Sequence, residues 1–309
     1  MSHDTFSLPT GDDCLLMVHR WVPDQPTAMV MLAHGMAEHA GRYERLALAL
    51  NRAGYGLYAH DQRGHGLTAA PADRGLFALQ DGWGKVVGDL SEVRHVILQQ
   101  YPGIPVVILG HSMGSYIAQA WLLDHSQEVC GAVFSGSNFE PPSVYRGARL
   151  IVRAESWRQG PKGRSALVDW LSFGSFNKAF KPNRTAFDWL SRDPQEVDRY
   201  IADPLCGFRC TNQLWLDLLQ GLQTISDPRQ LKKLDPQLAV LIIGGECDPL
   251  SDGKRLYDLG NAMGQAGLKD VQTHVYPNAR HEVLNELNRD EVARDLMTWL
   301  DRLFPSGPP

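Results

Sequence analysis

The chain has 309 residues, a formal net charge of −5 and 43% hydrophobic residues, which is enough for one large buried core. The acidic balance and the lack of any nucleic-acid-binding motif speak against nucleic acid as a partner, and no apolar run approaches the roughly 20 residues of a membrane-spanning helix. Five cysteines without paired spacing and an N-terminus without the basic start and apolar centre of a secretory signal point to a protein of the reducing cytoplasm.

Residues 28–33, Ala-Met-Val-Met-Leu-Ala, form a continuous apolar run that predicts a buried strand. They lead into His34-Gly35-Met36, where Gly35 permits a tight backbone. Gly54-Tyr55-Gly56 imitates the opening of a dinucleotide fingerprint, but it precedes a strand instead of following one, so that reading is discarded. Asp61, Arg63 and His65 stand just beyond and are expected to brace loops.

Residues 105–109, Pro-Val-Val-Ile-Leu, predict another buried strand, and residues 115–124 have the apolar spacing of a helix. Between them stands Gly110-His111-Ser112-Met113-Gly114. A serine between two glycines at a sharp strand-to-helix turn is a nucleophile elbow. The turn holds the serine in a strained conformation with its hydroxyl exposed, and only small residues two positions away avoid a clash. A serine hydroxyl attacks a carbonyl only if a base takes its proton and N–H groups hold the oxygen that becomes negative. Met113, at the helix N-terminus, is expected to supply one backbone N–H. Met36, on the loop after residues 28–33, is expected to supply the other.

After a strand at 129–135 the sheet rhythm stops for about a hundred residues, long enough for a helical cap over the strand ends. Nine aromatics fall within 137–190: Phe139, Tyr145, Trp157, Trp170, Phe173, Phe176, Phe180, Phe187 and Trp189. They suit either an acyl-binding lid or the packing of the cap helices themselves. Residues 141–186 hold nine basic residues, Arg146, Arg149, Arg153, Arg158, Lys162, Arg164, Lys178, Lys181 and Arg184, against only Glu155 and Asp169. That excess suggests contact with an anionic lipid surface, set against ordinary solvated helix faces.

The acid and the base should follow in the order Ser, acid, His, each on a loop after a strand. Residues 238–243 predict such a strand and open into Gly244-Gly245-Glu246-Cys247-Asp248-Pro249. Asp248 is the expected acid, with Glu246 and Asp252 as close rivals. Residues 272–276 alternate like a strand. His274 lies within that strand and His281 on the loop beyond it, so His281 is the expected base. His281-Glu282-Val283-Leu284-Asn285 begins like a zinc-protease helix, but Asn285 replaces the second ligand, and no metal is expected there.

His34-Gly35-Met36-Ala37-Glu38-His39-Ala40-Gly41-Arg42-Tyr43, His60-Asp61-Gln62-Arg63-Gly64-His65-Gly66, the elbow, the Asp248-Pro249 loop and Asn278-Ala279-Arg280-His281 resemble the monoacylglycerol lipase and bacterial lysophospholipase group of α/β-hydrolases. That branch also contains serine aminopeptidases. Residues 185–193 and 200–205 resemble the cap segment of the bacterial members, so the likeness runs from about residue 15 to 300. The resemblance implies substrate contact by Glu38 and Arg42; a four-residue structural ion pair is the competing reading. Animal members carry a second histidine three residues after the catalytic one, where this chain has Leu284.

The sequence thus predicts an α/β-hydrolase fold, with a doubly wound, mostly parallel sheet formed by residues 1–136 and 228–309 and a helical cap formed by residues 137–227. The expected activity is cofactor-free hydrolysis of lipid-like carboxylic esters by Ser112, Asp248 and His281. A peptidase or thioesterase could run on the same triad, whereas a catalytically silent binding protein would not need a complete one.

Overall fold

The computed structural model describes residues 2–305. Its strands are β1 Ser2–Pro9, β2 Leu15–Val22, β3 Ala28–Ala33, β4 Tyr55–His60, β5 Val106–His111, β6 Gly131–Ser135, β7 Ala239–Gly245 and β8 Asp270–Tyr276. Its α-helices are α1 Glu44–Arg52, α2 Gly82–Gln100, α3 Met113–His125, α4 Pro142–Gln159, α5 Ala166–Leu171, α6 Phe173–Phe176, α7 Pro194–Ala202, α8 Asn212–Ile225, α9 Pro228–Leu231, α10 Lys254–Ala266 and α11 Arg289–Leu303.

The strands form one sheet in the order β1-β2-β4-β3-β5-β6-β7-β8. From β4 to β8 neighbouring strands are parallel, while β1–β2 and β2–β4 are antiparallel. This is the expected doubly wound, mostly parallel sheet. The predicted central strands are present, displaced by one or two residues at their ends. The β1–β2 hairpin at the sheet edge was not predicted.

The central strands read as continuous apolar runs because both faces are covered. Met29, Met31, Ile108, Phe134, Val240 and Ile242 point into the core beneath α2, α3, α8 and α10. Their alternates Val30, Leu32, Leu109, Val133, Leu241 and Ile243 point into the second core, beneath α1 and α11. A strand's two-residue period sends successive side chains to opposite faces, so each run feeds both layers.

Six helices, α4 to α9, separate β6 from β7. Side-chain caps start several of them: Thr211 accepts from the Leu214 N–H, Ser165 from Val168 and Asp193 from Gln195. Trp189, Leu190 and Tyr200 form a small apolar cluster of this region's own, with Phe173, Phe176, Phe180 and Phe187 packed around it. No helix among the described residues is long and apolar enough to cross a membrane.

Candidate active site

The chain leaves β3 for β4 on one side and returns to β5 on the other, so the loops after β3 and β5 diverge at the centre of the sheet. Open α/β sheets bind ligands at such a switch point. Ser112 stands there with φ 50° and ψ −121°, in the strained region expected of an elbow. Its N–H donates to the Ser135 carbonyl at 2.8 Å. The flanking glycines are required by contact: a Cβ on Gly110 would lie 2.5 Å from the Gly114 carbonyl oxygen.

Asp248 is fully buried, and its Oδ2 lies 3.0 Å from His281 Nδ1. The Leu250 N–H and the Ser251 hydroxyl also donate to this carboxylate, fixing its orientation. The rivals separate on exposure. Glu246 points to solvent and accepts from the Asn278 N–H, and Asp252 is exposed. His274 pairs with Asp295 on the outer strand β8, away from Ser112.

Burial disfavours the His281 cation, but the Asp248 charge and its hydrogen bond outweigh this and raise the His281 pKa above the ordinary value. The neighbouring histidines behave oppositely. Burial pushes His111 and His65 down to about 4 and His34 to about 3, so all three stay neutral. His111 packs beside His281 with ring centroids 5.0 Å apart, and its Nδ1 meets the Ser135 hydroxyl.

Met36, Ser112 and Met113 line the same cavity. A Cβ on Gly35 would come within 3.3 Å of Ser112 Cβ, which shows how closely the loop after β3 approaches the elbow. Ala37 follows with φ 55°, and its carbonyl accepts from both the Tyr200 hydroxyl and the Gly207 N–H. The loop that carries Met36 is therefore held by residues between β6 and β7 as well as by the sheet.

Glu38 and Arg42 form an ion pair, as their spacing allowed. Arg42 also grips Glu282 through two bonds of 2.7 Å. Glu38 additionally accepts from the Gly35 N–H and the Tyr43 hydroxyl. Burial opposes its ionisation, and Arg42 overcomes that to hold its pKa low. Glu282 is the member that sequence reasoning missed. Leu284 packs into the core under α11. Asp61, Arg63 and His65 brace loops: Asp61 accepts from the Ala40 and Leu67 N–H groups, Arg63 pairs with Asp89, and His65 meets the Arg63 carbonyl.

Two cavities meet at Ser112, Met36, Phe173 and His281. One, of about 160 Å³, is almost wholly apolar, with Tyr116, Tyr145, Phe176, Leu218 and Leu222 in its wall. The other, of about 280 Å³, combines Phe187, Trp189 and Phe208 with Glu38, Asp169, Arg209 and Glu282. The aromatics noted in the sequence therefore divide. Tyr145, Phe173, Phe176, Phe187 and Trp189 line the cavities, while Trp157 is 91% exposed and Phe180 stacks under Arg280.

The segment between β6 and β7 also touches the His281 loop through its backbone. The His281 N–H donates to the Trp189 carbonyl, and the Glu282 N–H to the Leu190 carbonyl at 2.8 Å. The buried Glu286 carboxylate accepts from the N–H groups of both Arg192 and Arg280.

The chain matches, over residues 24–288, the family model described as serine aminopeptidase, S33. It is 29% identical over 286 residues to the monoacylglycerol lipase of Mycolicibacterium smegmatis, covering 91% of this chain and 90% of that one. Against the monoglyceride lipase of Homo sapiens it is 28% identical over 311 residues, covering 96% and 89%. Its structure matches that of a thermostable carboxyl esterase from Bacillus coagulans in complex with glycerol, with a TM-score of 0.90 and 25% identity over 98% of this chain and 99% of that one.

Proposed function

The chain belongs to the serine aminopeptidase, S33, family, and from that premise we propose that it is a monoacylglycerol lipase or lysophospholipase working through Ser112, His281 and Asp248. The apolar chamber opening at Ser112 carries this reading. An acyl chain placed there leaves water, which contributes about 0.8 kcal/mol per methylene, while the alcohol occupies the larger, more polar chamber.

Ser112 Oγ attacks the ester carbonyl as His281 Nε2 takes its proton, and Asp248 steadies the imidazolium through Nδ1. The N–H groups of Met36 and Met113 hold the oxyanion. Collapse releases the alcohol, which leaves with the proton from His281. A water then attacks the acyl-enzyme with His281 again as base, and no cofactor takes part.

A peptide's terminal ammonium would need an unpaired carboxylate beside the site. Glu38, Asp169 and Glu282 each face an arginine instead, which favours esters over aminoacyl amides. We assign residues 137–227 to the cap and the remainder to the core. The cap's outer face mixes exposed Leu150, Trp157, Leu167 and Trp170 with the basic residues of α4, a composition suited to peripheral contact with an anionic lipid surface.

A fluorophosphonate probe should label the wild type and not Ser112→Ala. A panel of monoacylglycerols, lysophospholipids and aminoacyl amides then ranks the substrates. Leu222→Phe should shift the preferred acyl length downward. Faster turnover of amides than of esters, or an unchanged chain-length profile in Leu222→Phe, would overturn the reading.

A further inference from the structure

We propose that His39, Asp203 and Cys206 form a binding site for a thiophilic transition-metal ion of the zinc class, outside the triad at the junction of the Met36 loop with the segment after α7. His39 Nε2 lies 2.8 Å from Asp203 Oδ2. A ring nitrogen, a carboxylate oxygen and the Cys206 sulfur all fall within 4.8 Å of one another. Metal bonds of about 2.0–2.3 Å in a tetrahedron set ligand atoms roughly 3.3–3.8 Å apart. Small side-chain rotations therefore suffice to bring all three onto one ion. Nitrogen, oxygen and thiolate suit zinc better than calcium or magnesium, which take oxygen ligands. With three protein ligands, the fourth position is left to water.

All three proposed ligands are partly buried, with the His39 and Asp203 side chains 15% and 29% exposed, so an ion can reach them from solvent. Binding displaces the Cys206 thiol proton to solvent as the metal–thiolate bond forms. The sequence hides the site because His39 and Asp203 are 164 residues apart, far from the local spacings that announce zinc motifs.

The location gives the ion a role. His39 lies three residues beyond Met36. Asp203 and Cys206 lie between the two residues that reach the Ala37 carbonyl, Tyr200 before them and Gly207 after them. An ion on these ligands fastens the cap to the Met36 loop from outside the substrate cavity. It should raise thermal stability and change turnover without entering the chemistry.

The full-length protein, stripped by chelator and returned to metal-free buffer, should bind about one equivalent of Zn²⁺ by calorimetry, with a rise in Tm. Co²⁺ in its place should give a thiolate charge-transfer band. Cys206→Ser and His39→Gln should each weaken Zn²⁺ binding by roughly tenfold or more, and Cys206→Ser should lose the band. Metal-free Tm and turnover of a soluble ester verify that each variant is folded. If either variant fails to fold, a Cys130→Ser/Cys247→Ser protein, which lacks both exposed thiols, leaves the site untouched and should keep the band. Absence of saturable binding, absence of the band in that protein, or equal binding by the wild type and both folded ligand variants would overturn the proposal.

Discussion

A Cβ added at Gly114 would lie 2.0 Å from the Ala33 carbonyl oxygen. The helix that begins at the nucleophile is thus in backbone contact with the strand that launches the Met36 loop, and this contact sets the spacing of Ser112 from Met36. Gly114→Ala should lower kcat/KM for a soluble ester by at least about 10² and cost about 1–3 kcal/mol in denaturant unfolding. Gly88, within α2, has nothing within 4 Å of a built Cβ. Gly88→Ala should therefore stabilise the protein by about 0.5–1 kcal/mol with turnover unchanged. Equal effects of the two substitutions would contradict the contact argument.

Asp248→Asn should cost on the order of 10⁴ in kcat, because the amide holds the wrong tautomer of His281. Glu246→Gln and Asp252→Asn, both at exposed positions, should stay within a few-fold of wild type. Steady-state kinetics on one soluble ester ranks the three.

The pH profile should reflect the raised pKa of His281. Burial alone would lower it, and the nearby Asp248 charge reverses the sign. In the proposed mechanism the base is the neutral imidazole, so kcat/KM should rise with pH through a midpoint above the ordinary histidine value of about 6.5. Without the Asp248 charge, burial is opposed only by the weaker influence of the Glu282 and Glu38 carboxylates, and the midpoint of the residual activity in Asp248→Asn should move down. For stability the sign is opposite. The charged His281–Asp248 pair contributes fully below the unfolded-state pKa, and its contribution is lost as pH rises through the folded one. Histidine-resolved NMR titration of Ser112→Ala measures the folded pKa directly.

Arg42 is held by two buried carboxylates, and Arg42→Met should leave Glu38 and Glu282 facing each other without a counter-charge. The expected cost is about 3–5 kcal/mol. Because Glu38 also accepts from the Gly35 N–H, turnover at temperatures where the variant stays folded should fall too. A variant with wild-type Tm and only a raised KM would make these residues substrate contacts instead.

Binding to anionic vesicles should weaken steeply between low and physiological salt, as the attraction decays over a Debye length of about 10 Å at 0.1 M. Arg146 and Arg153 are exposed on α4 and Arg149 is half-buried beside Gln220. Neutralising the three together should reproduce the salt effect in co-sedimentation and leave soluble-ester turnover unchanged. Salt-insensitive binding, equal on neutral and anionic vesicles, would make them ordinary solvated surface.

Much of the site could be read from the sequence because its signals are local. The elbow needs two glycines within five residues, Asp248 lies on the loop after the apolar strand β7, and His281 lies on the loop after the alternating strand β8. The bond between Arg42 and Glu282 joins residues 240 apart, and no spacing rule reaches that far. The β1–β2 hairpin escaped because Phe6 and Leu8 alternate with polar residues along the edge strand, a weaker pattern than the continuous runs at the centre. Counting aromatics in the cap identified an apolar region but could not sort it. Trp157 and Trp189 carry the same side chain, yet one is 91% exposed and the other 5%.

The pairing of Trp189 and Leu190 with the His281–Glu282 backbone bears on how such enzymes can be re-engineered. Helices inserted between two strands invite transplantation, as though specificity could be carried over with them. Here a foreign insertion would arrive without carbonyls in register, and the imidazole would lose part of its mooring along with its roof. Chimeras between relatives should therefore fail in kcat before they change substrate preference, unless residues 187–192 and 280–286 are exchanged as a matched set.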